Sequence, residues 1–180
     1  MPWAEPSSHG LVPTGWSLLA PETRPTFGGT LVGLWVYPAS VLVSAAIVAA
    51  CAHVVDRRGG RHVALSLVGL WVTVNILELI GKLAIERPPV GLSGLRHSYP
   101  SGHTLRACVV ATAVALVWRR AAPPVAMWAA GVPIALVALG EHTPTDVVGG
   151  LLLAGCLLAL WRGRVVPLDE SFHGGGCSGA

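Results

Sequence analysis

The chain has 180 residues, of which 53% are apolar and only 12% are charged, and its mean hydropathy is +0.64. A soluble domain has about 25% charged residues, so the composition excludes an ordinary soluble protein and indicates an integral membrane protein. The net charge of +3, from 12 basic and 9 acidic residues, is small and dispersed. No basic stripe with interleaved aromatic residues points to nucleic acid, so none is expected as a partner.

The two ends of the chain lack long apolar runs. Residues 1–29 contain acidic and basic side chains and several prolines, which is not typical of a cleavable signal peptide. We expect them to form an extracytoplasmic segment on the membrane surface. Residues 167–180, which include a run of three glycines, are predicted to be a disordered cytoplasmic tail.

Between these ends the chain has five apolar segments, each of roughly 18 to 26 residues, and a helix needs about 20 residues to cross the hydrocarbon core. The segments are 30–55, 62–85, 101–118, 123–140 and 143–161. The sequence therefore predicts an all-α fold, a polytopic transmembrane bundle of about five spanning helices within a single domain at 30–166.

The short connections carry most of the basic residues. Seven of the twelve lie at one predicted end of the bundle: Arg57, Arg58, Arg61, Arg119, Arg120, Arg162 and Arg164. The positive-inside rule makes that end cytoplasmic. We expect a protein of the plasma (inner) membrane, with its C-terminus cytoplasmic and residues 86–100 and 140–142 facing outward.

Ionisable residues collect near the predicted outer end, where an apolar bundle does not require them. Segment 62–85 carries Glu78 and Lys82 and is followed by Arg87, and segment 101–118 carries Arg106. The run Pro100-Ser101-Gly102-His103 opens segment 101–118. Its backbone N–H groups at the positive end of a helix dipole suit an anion.

His142 and Asp146 precede and open the last segment. Their spacing of four places them on one helical face, where the carboxylate can orient the imidazole as a nucleophile or base. The same residues also fit an ordinary helix start, with Thr143 as the cap, Pro144 in the first turn and Asp146 reaching back. Both interpretations can hold together.

These pieces together resemble the type 2 phosphatidic acid phosphatase superfamily of membrane lipid phosphate phosphatases. That family has three ordered motifs, Lys-x6-Arg-Pro, Pro-Ser-Gly-His and Ser-Arg-x5-His-x3-Asp. The second is complete at residues 100–103, and the end of the third is complete at His142 and Asp146. The resemblance extends from about Lys82 to Gly150.

The resemblance implies a metal-free phosphatase without a cofactor, which hydrolyses a lipid or isoprenyl phosphate or diphosphate at the outer face of the membrane. It implies that His142 attacks phosphorus to form a phosphohistidine, that Asp146 orients it, and that His103 protonates the leaving oxygen. The phosphate-binding residues that it implies are Lys82, Ser101 and the Gly102 N–H. The expected partners are the lipid phosphate substrate and membrane lipids.

The motif arginines are where this sequence departs from the family. Counting from Lys82 puts Pro89 at the first arginine position, whereas taking Arg87-Pro88 as the Arg-Pro pair puts Ile80 at the lysine position. In the third motif, Ala135 and Leu136 stand where the family has Ser-Arg. Arg87 and Arg106 are the substitutes that we expect to bind phosphate. Arg106 has two alternatives, which are snorkelling to the interface and pairing with Glu78 or Asp146.

Two other functions compete with the phosphatase. One is a catalytically impaired relative that binds a phospholipid head group or a protein partner. The other is a metal-dependent hydrolase with His103, His142 and Asp146 as ligands, a combination that zinc accepts. No His-Glu-x-x-His pattern supports the metal site.

Overall fold

The computed structural model describes residues 27–85 and 99–165, and within them the chain is helical and contains no strand. The predicted all-α bundle is therefore confirmed. Its six α-helices are α1 (Phe27–Val36), α2 (Val41–Arg57), α3 (Arg61–Ala84), α4 (Gly102–Val117), α5 (Ala122–Ala138) and α6 (Pro144–Val165). The predicted terminal segments 1–29 and 167–180 lie outside the described residues, except that 27–29 open α1.

The first predicted segment is two helices rather than one. A 3₁₀ turn at Tyr37–Ala39 separates α1 from α2, and the chain bends by 52° there. Pro38 has no backbone N–H to continue the helical hydrogen-bond ladder. Ser40 follows in an extended conformation, with φ −65° and ψ 157°, so α2 starts in a new direction.

Length and composition identify the described helices that can cross a membrane. Among the described residues, α3, α6 and the stretch Arg119–Ala138 are long and apolar enough, and the bent pair α1–α2 makes a fourth span if it crosses as one. Helix α4 has 16 residues, which gives about 24 Å against a hydrocarbon core of about 30 Å. Among the residues that the structure describes, three or four helices therefore pass the length criterion, and α4 is a shorter apolar helix.

Helix α4 lies at the centre of the bundle and packs against α2, α3, α5 and α6. Leu105, Ala107 and Ala113 along its length are completely buried. One apolar cluster joins α4 to α2, α3 and α6, and a second joins it to α1, α5 and α6. Because α4 packs against these four helices, its first turn is held from several sides.

The outside of the bundle is apolar. Leu42, Leu83 and Met127 expose 83%, 72% and 75% of their surface, and many other large apolar side chains are exposed like them. Apolar surface of this extent is unusual for a soluble monomer. It fits a bundle surrounded by lipid.

The connections between the helices lie at two opposite ends of the bundle. At one end, Arg58 Nη1 donates a hydrogen bond to the Val117 carbonyl at 3.1 Å, and Trp161 Nε1 donates to Ser66 Oγ at 3.1 Å. This end carries the seven arginines, as predicted. The starts of α4 and α6 meet at the other end. Which end faces the cytoplasm stays a prediction.

Candidate active site

The first turn of α4 begins at Ser101, which has the extended backbone of an N-cap residue. Ser101 is completely buried, and its side chain makes no capping hydrogen bond. Its Oγ instead accepts a hydrogen bond from Thr104 Oγ1 at 3.1 Å. The backbone N–H groups of a first helical turn have no partner within the helix, so this turn has the donors that an anion requires.

The start of α6 is a reciprocal cap. The Thr143 N–H donates to Asp146 Oδ2 at 3.1 Å, and the Asp146 N–H donates to Thr143 Oγ1 at 3.3 Å. The helix start predicted for Thr143, Pro144 and Asp146 is therefore confirmed. Asp146 is completely buried, so its carboxylate is fixed by the turn.

The same carboxylate lies beside His142. His142 Nδ1 is 3.7 Å from Asp146 Oδ2, and 13% of the His142 side chain is exposed. This separation allows an ion pair but is longer than a hydrogen bond. Burial lowers the pKa of His142 below its ordinary value, while the negative charge of Asp146 acts in the opposite direction. Asp146 thus both caps α6 and faces the imidazole, so the cap does not exclude the predicted pairing, and the catalytic role of His142 stays a prediction.

The starts of α4 and α6 are directly connected. The Ser101 N–H donates to the Asp146 carbonyl at 3.2 Å, which joins the second motif to the third. His103 lies within electrostatic range of His142 and Lys82. The structure therefore brings His103, His142, Asp146, Ser101, Gly102 and Lys82 to the same end of the bundle.

Glu78 adds a carboxylate to this cluster. Its Oε1 accepts from Lys82 Nζ at 2.6 Å, and its Oε2 pairs with Arg106 Nη1. A Cβ placed on Gly102 would overlap the Glu78 carboxylate. Glu78 therefore lies against the N-terminus of α4 and offsets part of the positive charge there.

Arg106 is only 3% exposed, and its guanidinium is bound on several sides. Besides Glu78, its Nε donates to the Ala39 carbonyl at 2.8 Å and its Nη1 to Asn75 Oδ1 at 3.2 Å. Pairing with Glu78 was one of the alternatives open from the sequence, and it is the one found. Phosphate binding by Arg106 stays a prediction.

Some contacts of this site were not foreseen from the sequence. The Ala39 carbonyl reaches Arg106 because the chain bends at the 3₁₀ turn, and no local pattern indicates that bend's direction. The Asn75 contact had a signal, since Asn75 lies three residues before Glu78 on the same face of α3. A Cβ on Gly149 would overlap the Tyr99 ring. A glycine at this position therefore allows the segment before α4 to pack closely against α6.

The positions of the motif arginines have different outcomes. Arg87 lies outside the described residues, so its predicted phosphate binding is untested. Leu136, at the arginine position of the third motif, is buried in the apolar cluster of α4, α5 and α6. Its carbonyl accepts hydrogen bonds from the N–H groups of Glu141 and His142, at 3.0 and 3.4 Å. Leu136 therefore anchors the turn that holds His142 by its backbone.

The metal-dependent alternative finds no support in the arrangement of these side chains. Within residues 27–85 and 99–165, no three His, Cys, Asp or Glu side chains are grouped so that they could hold a metal ion. His103, His142 and Asp146 are all within those ranges.

The apolar exterior and the polar cluster at one end define an integral membrane protein with a candidate active site. Comparison with known families gives a match between residues 79–166 and the model of the PAP2 superfamily. This match covers the last turns of α3 through α6, so every described candidate residue except Glu78 falls inside it. The match over residues 79–166 indicates a phosphatase-type function for this part of the chain. Searches of curated proteins and of solved structures each gave no match.

Proposed function

We propose that the chain is a membrane phosphatase that hydrolyses a lipid or isoprenyl phosphate or diphosphate at the outer face of the membrane. The observation that carries this proposal is the approach of His142 to Asp146 at 3.7 Å, next to the N-terminal turn of α4. The proposed nucleophile, its proposed orienting carboxylate and the N–H donors for an anion lie at one end of the apolar bundle.

In the proposed reaction, an imidazole nitrogen of His142 attacks phosphorus while the bond from phosphorus to the lipid oxygen breaks. The leaving oxygen takes a proton from His103. Water then attacks the phosphohistidine, with His103 accepting a proton from it, and inorganic phosphate leaves. Asp146 stabilises the positive charge that forms on the ring of His142.

The transferring phosphoryl group needs positive partners for its oxygens. The N–H groups of the first turn of α4, including that of Gly102, supply neutral donors, and Lys82 supplies a charge. Lys82 Nζ donates one hydrogen bond to Glu78. An ammonium has three donors, and in this proposal the other two face the phosphate. Ser101 and Arg87 complete the proposed phosphate site.

A second candidate is a relative with impaired catalysis that binds a phospholipid head group or a protein partner. It is favoured by the engagement of Arg106, whose Nε and Nη1 are bound by Ala39, Asn75 and Glu78. An arginine held in this way offers little to a phosphate. Losing one donor of an oxyanion site costs about 3 kcal/mol in the transition state, so a site without its arginines reacts slowly.

The test is release of inorganic phosphate from a panel of lipid and isoprenyl phosphates by the purified protein in detergent, with His142→Ala as the control. We expect release that persists with a chelator and is inhibited by vanadate, a mimic of the transferring phosphoryl group. Loss of activity with a chelator and recovery with zinc would favour the metal-dependent alternative. Binding of a lipid phosphate without any release would favour the impaired relative.

A further inference from the structure

A cavity of about 710 Å³ opens at the end of the bundle opposite to the candidate active site. It lies between α4 and α6, with α3 and the start of α5 at its edges. Such a volume is within the range of ligand sites in proteins. Neither the proposed reaction nor the family match explains this cavity.

The body of the cavity is apolar, and its two polar side chains apart from the arginines are hydrogen-bonded within the protein. Trp161 forms one wall, and its indole N–H is held by Ser66 Oγ at 3.1 Å. Thr112 lines the inner part, and its hydroxyl already bonds the Cys108 carbonyl at 2.9 Å. Because both donor hydrogens are bonded within the protein, the surface that these walls present to a ligand is mainly hydrocarbon.

Two arginines stand at the mouth of the cavity. Arg119 lies in the 3₁₀ turn after α4, and Arg162 lies in the last turn of α6. Both are exposed, and neither has an ion-pair partner among the residues that the structure describes. Among the residues that the structure describes, those lining the cavity include no acidic side chain. The mouth is therefore positive and the interior is apolar.

The dimensions fit an amphiphile that lies along the helices. Thr112 and Arg119 are seven residues apart on α4 and its following turn, which corresponds to roughly 10 Å along the helix axis. An acyl chain can occupy this depth while its head group stays at the arginines. A second cavity, of about 430 Å³, lies between α1 and α5. Its described lining residues carry no charge, so they offer nothing to distinguish one lipid from another.

We propose that this cavity binds an anionic phospholipid, with the phosphate between Arg119 and Arg162 and an acyl chain against Trp161, Leu116 and Leu158. Charge complementarity selects the head group, and the apolar walls bind the chain. Clustered basic residues at a membrane surface attract anionic lipids in general. Here the pairing of two arginines with one cavity gives a single site.

The chain supplies a matched control for the test. Arg120 and Arg164 lie at the same end of the bundle and are exposed, but they do not line the cavity. The double variants Arg119→Gln/Arg162→Gln and Arg120→Gln/Arg164→Gln therefore lose the same charge at the same membrane surface. Only the first removes the proposed head-group contacts.

Binding of dioleoyl phosphatidylglycerol is measured by native mass spectrometry of the full chain released from neutral detergent, with dioleoyl phosphatidylcholine as the neutral comparison. We expect the unmodified protein and the Arg120/Arg164 double variant to prefer phosphatidylglycerol. The Arg119/Arg162 double variant should lose that preference by about tenfold, since charge-assisted contacts to phosphate are strong. Equal losses in the two double variants, or no loss in either, overturn the proposal.

Three further measurements test the source of the phosphate, the role of the cavity and the folding of the variants. The soluble head group glycerophosphoglycerol should not compete with phosphatidylglycerol, and equal competition overturns the proposal because the acyl chain then contributes nothing. Ala115→Phe fills the cavity without changing charge and should weaken the binding of both lipids. Unchanged lipid binding by Ala115→Phe also overturns the proposal. Thermal midpoints in detergent without added lipid check that each variant is folded.

Discussion

His142 and Asp146 are four residues apart, and the turn that opens α6 holds the nearest ring nitrogen 3.7 Å from the carboxylate. The same carboxylate accepts the Thr143 N–H, so its position depends on the helix cap. Any movement of the cap therefore moves the group that orients the proposed nucleophile. The pattern in the sequence predicts both contacts, because both are local.

The first prediction concerns pH. A protonated imidazole cannot attack phosphorus, so activity should fall as the pH drops through the pKa of His142. Burial lowers that pKa, and nearby Lys82 lowers it further, whereas Asp146 and Glu141 raise it. The net direction is downward, so the acid limb of the pH profile should lie below the ordinary histidine value of about 6.5.

Asp146→Asn sharpens this test. Removing the carboxylate removes an interaction that raises the pKa of His142, so the acid limb should move to still lower pH while the rate falls. The measurement is single-turnover phosphate release between pH 4 and 8. An acid limb that stays in place or moves to higher pH in this variant contradicts the proposed pairing.

Glu78 provides the second prediction, because it pairs with Lys82 and Arg106 and lies against Gly102. Glu78→Gln removes a negative charge beside the proposed phosphate site, so inorganic phosphate should inhibit at lower concentrations. The same change leaves the buried Arg106 without its charged partner. Breaking a buried pair costs about 3 kcal/mol of stability, so the thermal midpoint should fall.

The control for Glu78 is Asn75→Ala. Asn75 also bonds Arg106, but it carries no charge, so its loss should lower the thermal midpoint without strengthening inhibition by phosphate. If Glu78→Gln leaves inhibition unchanged or weakens it, the carboxylate does not act on the phosphate site.

At the scale of helices, α4 is short, central and buried along its length. Its first turn meets α3 through Gly102 and meets α6 through the bond from Ser101 to Asp146. A close approach to the Glu78 carboxylate requires a residue without a side chain at position 102. The glycine of the second motif therefore has a packing role besides the N–H that it presents.

The third prediction follows from that contact. In Gly102→Ala, the added methyl group must displace the Glu78 carboxylate from Lys82 and Arg106. Overpacking of this kind costs about 1 to 3 kcal/mol, so thermal midpoint and phosphate release should both decrease. Gly69→Ala in α3 is the matched control, since a Cβ there meets nothing within 4 Å and alanine favours a helix. Equal effects of the two substitutions contradict the role of Gly102.

The helices were predictable where local sequence decides them. Apolar length places α3, α5 and α6, and the motif at Thr143 gives the cap of α6. The break at Pro38 was missed because apolar residues continue on both sides of it, and hydropathy does not register a change of direction. The apolar run 101–118 contains α4, which ends at Val117. The backbone of Trp118 is not helical, with φ −130° and ψ 89°, and a 3₁₀ turn follows it.

Across the whole molecule, the sequence indicates which residues gather at each end but not how they pair. The sequence predicts that His142 and Asp146 lie at the same end of the bundle as residues 100–103, because two antiparallel helices separate the two motifs. The bonds of Arg106 to Ala39 and Asn75 depend on the packing of α3 and α4 and on the bend before α2. Pairings of this kind join distant parts of the chain, so spacing alone cannot assign them.

The fourth prediction is the orientation in the membrane. With the four native cysteines replaced, a single cysteine at Glu141 should react with an impermeant maleimide on intact cells, and one at Arg120 should react only after permeabilisation. Both positions are exposed and lie at opposite ends of the bundle. The reverse pattern places the seven arginines outside and moves the proposed reaction to the inner leaflet.

The central claim is that His142 receives the phosphoryl group, and trapping that intermediate tests it most directly. The purified protein is mixed with a radiolabelled lipid phosphate from the panel and quenched in alkali, where phosphohistidine survives, and its peptides are then sequenced. We predict label on the peptide that contains His142, less label in Asp146→Asn and none in His142→Ala. Release of phosphate without label on His142, or label that persists in His142→Ala, would contradict the account.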